Sequence, residues 1–303
     1  MNKAVWASTS LKIIPGVLSV VLLLGCAANN GSGNNAANPK QVEAKDVPAK
    51  VTMASLPETY TPGVLITGAN RGLGFEFTRQ YAELGWTVIA TARKPAKAEA
   101  LQQLATEHPN ITIEALDVND LDYIDTLAER YKDQPIDVLL NNAGLSGSPS
   151  PKQLFGRLDY SLFDAYLHTN ARGPLKMSEA FLPNVRASKM KRIVTISSLG
   201  GSFAAVDRMA PGTTFYRASK TAVNMLMVNV AGATEKYDIT VVLLNPGLVD
   251  TQGVLTKMNE KMNMGLTLVP IEESIAGMIN VIDETGIEDS GIVFQWSGER
   301  LEF

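Results

Sequence analysis

An apolar run, Val64-Leu65-Ile66, passes directly into Thr67-Gly68-Ala69-Asn70-Arg71-Gly72-Leu73-Gly74 and then into a helical pattern. No other feature restricts the fold of this chain as strongly. Glycines at this spacing permit a tight turn, let backbone come close to a bound group, and let the following helix pack hard against the strand. The start of that helix presents free N–H groups and the positive end of its dipole to the same bend, an arrangement suited to phosphate. A strand before and a helix after make the segment a phosphate loop of a dinucleotide site.

From Gly63 onward, short apolar runs alternate with stretches long enough for crossover helices. The runs are Val64–Ile66, Thr87–Ala90, Ile111–Ile113, Ile136–Leu140, Ile193–Ile196, Ile239–Leu244 and Gly291–Phe294. They are mostly continuous rather than alternating, as in strands covered on both faces. This rhythm predicts an α/β fold, a doubly wound parallel sheet in a single domain. Hydrophobic residues at 45% and charged residues at 19% supply the core such a sheet needs.

A net charge of −4 gives no general attraction to nucleic acid, and no nucleic-acid partner is expected. Two histidines, His108 and His168, and one cysteine, Cys26, exclude a His/Cys metal site and an intrachain disulfide. Cys26 follows Lys3 and Lys12 and an apolar run, Ile13–Leu24, that is shorter than the ~20 residues of a membrane span. Leu23-Leu24-Gly25-Cys26 resembles a bacterial lipobox. The expectation is a lipoprotein-type signal peptide over 1–26 with lipidation at Cys26, a flexible tether over 27–62, and a folded domain over 63–303. An ordered extension packed on the core is the alternative for 27–62. The chain is then a bacterial membrane-anchored lipoprotein whose domain faces the periplasm or the cell exterior. That placement conflicts with a supply of soluble dinucleotide, and no twin-arginine pair precedes the apolar run to signal export of a folded domain.

Tyr216-Arg217-Ala218-Ser219-Lys220 carries the candidate chemistry. One helical turn separates Tyr216 from Lys220, so the two share a face. A free phenol titrates near pH ~10, and a nearby ammonium favours the phenolate and lowers that value. Tyr216 is then placed to give a proton to a substrate oxygen. Of eight tyrosines, only Tyr216 has a lysine four positions on. Ser197-Ser198 ends the run Ile193–Ile196, where a hydroxyl can bond a carbonyl and stabilise charge on its oxygen. The second run ends Ala90-Thr91-Ala92-Arg93, without the acid that binds ribose hydroxyls in NAD sites. Arg93 and Arg71, with Lys94, suit a 2′-phosphate instead, which points to NADP(H) rather than NAD(H).

The Thr-Gly-x-x-x-Gly-x-Gly spacing of 67–74, Asn141-Asn142-Ala143-Gly144 and Tyr216-x-Ala-Ser-Lys220 resemble the motifs of the short-chain dehydrogenase/reductase family. The resemblance covers nearly all of 63–303 and implies a compact Rossmann-type domain. It implies Asn170, Ser198, Tyr216 and Lys220 as catalytic residues, with Asn170 supporting a water linked to Lys220. It places Gly68, Asn70, Arg71, Gly72, Leu73, Gly74, Arg93, Asp117, Val118, Asn142, Ala143, Gly144, Tyr216, Lys220, Pro246, Gly247, Val249 and Thr251 along the cofactor. Within that set, Asp117 accepts from the adenine amino group, and Pro246-Gly247 with Thr251 contacts the nicotinamide carboxamide. Residues 252–268 correspond to a flap, in which Met258, Met262 and Met264 serve either as an adaptable lining or as core filler.

The stretch from Ser198 to Tyr216 is longer than the family pattern, and Asp207–Gly212 is expected to rim the substrate pocket. The tail, Gly291–Glu299, resembles the carbonyl-reductase-like branch that includes the Sniffer and C-factor proteins. The activity implied is hydride transfer from NADPH to a small aldehyde, ketone or quinone, with Tyr216 as the acid. A dinucleotide-binding signalling or scaffold protein with little turnover is the alternative. An isomerase or dehydratase fits less well, because those resemble an extended branch with different glycine spacing. The family includes monomers, dimers and tetramers, so a homo-oligomer is compatible with the sequence.

Overall fold

Every expected apolar run contributes a strand in the computed structural model, which describes residues 50–205, 211–262 and 265–302. The strands are β1 (Gly63–Ile66), β2 (Thr87–Ala92), β3 (Ile111–Ala115), β4 (Val138–Asn141), β5 (Arg192–Ile196), β6 (Thr240–Asn245) and β7 (Val293–Gln295), all in parallel pairing. A short β8 (Arg300–Leu301) adds antiparallel to β7. The order across the sheet is β3-β2-β1-β4-β5-β6-β7-β8. The chain reverses direction of travel between β1 and β4, which opens a crevice at the carboxyl ends of those two strands. This is the expected single α/β domain with a doubly wound, Rossmann-type sheet.

The helices are α1 (Gly72–Glu83), α2 (Glu99–Glu107), α3 (Leu121–Arg130), α4 (Phe163–Leu167), α5 (Gly173–Ala180), α6 (Leu182–Ala187), α7 (Thr214–Thr234), α8 (Val254–Met262) and α9 (Ile271–Glu284). They divide between the two sheet faces. Val64, Ile66, Val138, Leu140, Val242 and Leu244 join one core with Phe77 and Tyr81 of α1, Leu101 of α2 and Ile275 and Met278 of α9. Leu65, Leu139, Val241 and Leu243 join the other with Ile124 of α3, Met177 of α5 and Val223 and Met227 of α7. Alternate residues of each strand therefore enter opposite cores, and the sequence runs stay apolar without a break. Each large side chain so buried stabilises the fold by roughly 1.5–3 kcal/mol.

Residues 50–62, placed at the end of the expected tether, lie against this domain. Tyr60 donates its hydroxyl to the carboxylate of Asp137 (2.8 Å), a fully buried acid that also accepts from the backbone N–H of Gly63, Lys189 and Met190. Arg192, 3% exposed, reaches the carbonyls of Val51, Ile282 and Thr285. Met53 N–H donates to Asp283. Buried charges need such partners, and the preceding segment supplies some of them. The residues that suggested a leader, Cys26 among them, lie outside the described residues, as do Asp207–Ala210 and Met264.

Candidate active site

The glycine loop sits at the crevice between β1 and β4. Gly68 and Gly72 hold φ of 71° and 58°, the left-handed region that favours glycine. Gly74 has no room for a side chain: a Cβ there would stand 2.3 Å from the Gly68 carbonyl oxygen and 2.4 Å from Asn142 Nδ2. The loop is bolted to the β4 end. Thr67 Oγ1 accepts from the N–H of both Asn142 and Ala143 at 3.0 Å, and Asn142 Nδ2 donates to the Thr67 carbonyl at 2.8 Å. Gly68 lies against Ala143, and Gly72 lies under the side chain of Thr251. Residues 68, 72, 74, 142, 143 and 251, far apart in the chain, therefore meet at one crest.

At the start of α1 no side chain caps the helix. Its first N–H groups and dipole face the crest, which fits a pyrophosphate. Ala69 N–H bonds the Thr91 carbonyl at 2.8 Å, bringing the end of β2 beside the loop. Asn70, Arg71 and Arg93 are exposed there, and Leu73 is half-buried. The Asp117 carboxylate accepts from Asn119 N–H at 3.0 Å in a local turn, and Val118 is buried against Gly173. On the far side, Ser274 Oγ donates to the Pro246 carbonyl at 2.7 Å, and Trp296 packs on Gly247. Val249 is half-buried beyond that turn. The crest, the uncapped helix and the two exposed arginines fit a dinucleotide.

Tyr216 and Lys220 stand on the first turns of α7. Lys220 is 7% exposed and donates to the carbonyl of Ile196, at the end of β5, at 2.7 Å. Its nitrogen is 5.9 Å from the centroid of the Tyr216 ring. Burial pushes the Lys220 amine down to about 8. The phenol departs from expectation. Desolvation raises Tyr216 above its ordinary value, nearby Tyr166 adds to the rise, and a hydrogen bond with Ser198 is the influence that lowers it. Burial, rather than the Lys220 ammonium, sets the direction at the phenol. Ser198 is half-buried, and its Oγ also accepts from Gly200 N–H at 3.0 Å. Ser197 instead turns into the core and donates to Asn224.

Asn170 lies in a π-helical turn, His168–Arg172, between α4 and α5. Such turns widen a helix by one residue and often redirect a side chain at a functional site. Here the widened turn aims the amide across to another segment. Asn170 Oδ1 accepts from Leu145 N–H at 2.7 Å, and Nδ2 donates to Ser219 Oγ at 2.9 Å. A Cβ on Gly144 would lie 3.3 Å from Asn170 Oδ1 and 3.9 Å from Lys220 Nζ, so the three residues share one corner.

Three further residues bear on Tyr216 and were not anticipated. Gly147 lies flat against its ring: a Cβ there would be 2.5 Å from Cε1. Tyr166 meets the ring edge-on, with centroids 6.5 Å apart. Gln153, fully buried, accepts from the N–H of Phe215 and Tyr216. Gly147 had a visible signal, a small residue shortly after the β4 motif. Gln153 and Tyr166 had none, since their partners are distant in sequence.

A family model described as short chain dehydrogenase matches residues 63–263. The short chain dehydrogenase gsfK of Penicillium aethiopicum is 34% identical over 251 residues, 78% of this chain and 98% of its own. Among solved structures, the NADPH-bound carbonyl reductase from chicken fatty liver is 31% identical with a TM-score of 0.69, covering 80% of this chain and 99% of that one. The carbonyl reductase Sniffer of D. melanogaster is 26% identical with a TM-score of 0.69, covering 80% and 100%.

These relatives correct the expected location. The bacterial membrane-anchored lipoprotein, with its domain in the periplasm or outside the cell, does not stand. Besides gsfK, an oxidoreductase of Schizosaccharomyces pombe is 30% identical over 251 residues, 79% of this chain and 96% of its own. These relatives are fungal oxidoreductases, not bacterial lipoproteins, and no helix among the described residues is long and apolar enough to cross a membrane. With sequence and fold both matched and the motif residues gathered at one crevice, the chain belongs to the short-chain dehydrogenase/reductase family of oxidoreductases, on its carbonyl-reductase-like side.

Proposed function

We propose that this chain is an NADP(H)-dependent reductase of a small carbonyl compound, with Tyr216 as general acid. The observation that carries the reading is the meeting of three groups at the crevice: the Tyr216 phenol, the Ser198 hydroxyl beside it, and the buried Lys220 ammonium. The backbone of Gly68–Gly74 and the start of α1 take the pyrophosphate. Arg71 and Arg93 take a 2′-phosphate through charge-assisted bonds, and among the described residues neither guanidinium has an ion pair. That chicken carbonyl reductase was solved with NADPH supports the choice of cofactor.

When bound, the dinucleotide supplies hydride to the carbonyl carbon. Ser198 holds the carbonyl oxygen and offsets the charge that develops on it. Tyr216 gives that oxygen its proton, completing the alcohol. A phenol raised by burial is fully protonated at neutral pH, the state a proton donor requires. Lys220, poised near neutrality, holds the ribose side of the site and offsets the phenolate charge left behind. Asn170 fixes Leu145 and Ser219 around that corner.

The test is NADPH consumption by the full chain over a panel of aldehydes, ketones and quinones, with NADH in parallel. Turnover on at least one compound, faster with NADPH, is the expected result. Tight NADPH binding without turnover on any compound would point to a binding protein.

A further inference from the structure

We propose that Gln153 is a positioning residue for Tyr216, setting where the phenol stands by holding the first turn of α7. The proposal rests on the reading of Tyr216 as the proton donor. Its physical basis is the unmet need of a helix start, whose first N–H groups have no partner within the helix. The usual solution is a Ser, Thr, Asp or Asn at the cap position. Thr213 occupies that position in α7, and its side chain makes no capping bond. The acceptor comes from 62 residues away. Gln153 Oε1 takes the N–H of Phe215 and of Tyr216, each at 3.0 Å.

The rest of Gln153 joins the helix to the segment that frames the phenol. Its Nε2 donates to the Tyr166 hydroxyl at 3.1 Å, and that hydroxyl donates to the Ser146 carbonyl at 3.1 Å. Its own carbonyl accepts from Thr214 Oγ1 at 2.7 Å. Gly147, next to Ser146, is the residue pressed against the Tyr216 ring, and Tyr166 is the ring at its edge. One buried amide therefore fixes the backbone of Tyr216, the neighbour at its edge and the neighbour on its face. A cap that served only to stabilise the helix would need the first of these alone. Substituting alanine leaves a buried and a half-buried N–H without their acceptor and frees Tyr166, so α7's first turn and the framing segment can shift independently.

The experiment uses the full chain labelled with carbon-13 in the tyrosine rings, as Gln153→Ala, Gln153→Glu and Tyr216→Phe. The Tyr216 resonance is assigned by its loss in Tyr216→Phe. In Gln153→Ala, melted beside the parent to show that it is folded, this resonance moves or broadens. Its kcat on 4-nitrobenzaldehyde or phenanthrenequinone falls at least about tenfold, while NADPH affinity stays within about twofold. Gln153→Glu keeps the acceptor for both N–H groups but gives up the donor to Tyr166, so it restores the resonance and kcat only in part. Among the described residues the phenol otherwise faces Lys220 from its own helix, Tyr166 from α4 and Ser198. A new carboxylate beside that set disfavours the phenolate and moves the alkaline limb of kcat up by about half a pH unit. A Tyr216 resonance unmoved in Gln153→Ala, or a kcat within twofold of the parent, overturns the proposal. Full turnover by Tyr216→Phe with a resonance that does move in Gln153→Ala would instead remove the acid role of Tyr216 and leave the positioning intact.

Discussion

The Lys220 nitrogen lies 5.9 Å from the centroid of the Tyr216 ring, yet its short hydrogen bond, 2.7 Å, goes to the carbonyl of Ile196. The pair shares a crevice without sharing a bond. The amine is held down to about 8 by burial, and this has a consequence for stability.

At about pH 7 Lys220 is charged in both the folded and the unfolded chain, so the desolvation penalty is fully felt. As pH rises through about 8 toward the unfolded value near 10.4, the folded chain sheds its proton first and the penalty fades. Lys220→Met should therefore be more stable than the parent at neutral pH. The gain is about 2 kcal/mol once the lost hydrogen bond is subtracted. It should fall through zero and change sign near pH ~10, where only the lost hydrogen bond remains. Denaturation curves at both ends of that window check it, and an advantage that stays constant or grows contradicts it.

Gly147→Ala should damage activity more than stability. The added methyl would stand 2.5 Å from Tyr216 Cε1, and the ring is free to swing away where backbone is not. Gly147 has no positive φ, so alanine brings no backbone strain. The expected result is a kcat lowered at least tenfold with a stability change within about 1 kcal/mol. Unchanged kcat would mean that the ring contact does not set the phenol.

Arg93→Ala should weaken NADPH binding at least tenfold, about 1.4 kcal/mol, while NADH binding is unchanged. Fluorescence titration of both dinucleotides reads this directly. Equal losses for the two would show that Arg93 does not contact a 2′-phosphate.

The strands were legible because β1, β4, β5 and β6 are buried on both faces and so read as unbroken apolar runs. β8 has two residues, too few to show a period. The glycine loop and the Tyr216–Lys220 pair were legible because their geometry is local, one turn in each case. The cap by Gln153 joins residues 62 apart and leaves no pattern. The phenol was misjudged for a related reason: the charge that shares its helix face is Lys220, but burial by segments such as 145–166 decides its proton affinity. The polar composition of 50–62 reads as a tether, whereas Tyr60 and the Val51 carbonyl complete buried charges of the domain.

That last contact is open to test. Tyr60→Phe removes a hydroxyl bonded to both oxygens of the buried Asp137 carboxylate, at 2.8 and 3.0 Å. Three backbone donors remain, so the loss should be about 1–2 kcal/mol in urea denaturation, with kcat unaffected. No loss would mean that the Tyr60–Asp137 bond contributes nothing to the fold.

The proton donor itself is tested most directly by single turnover. NADPH is bound to the chain, a carbonyl substrate is mixed in, and dinucleotide fluorescence is followed for the parent and for Tyr216→Phe. Tyr216→Phe should transfer hydride at least about 100-fold more slowly, with NADPH affinity and melting temperature close to the parent. A transfer rate within a few-fold of the parent would contradict the role given to the phenol.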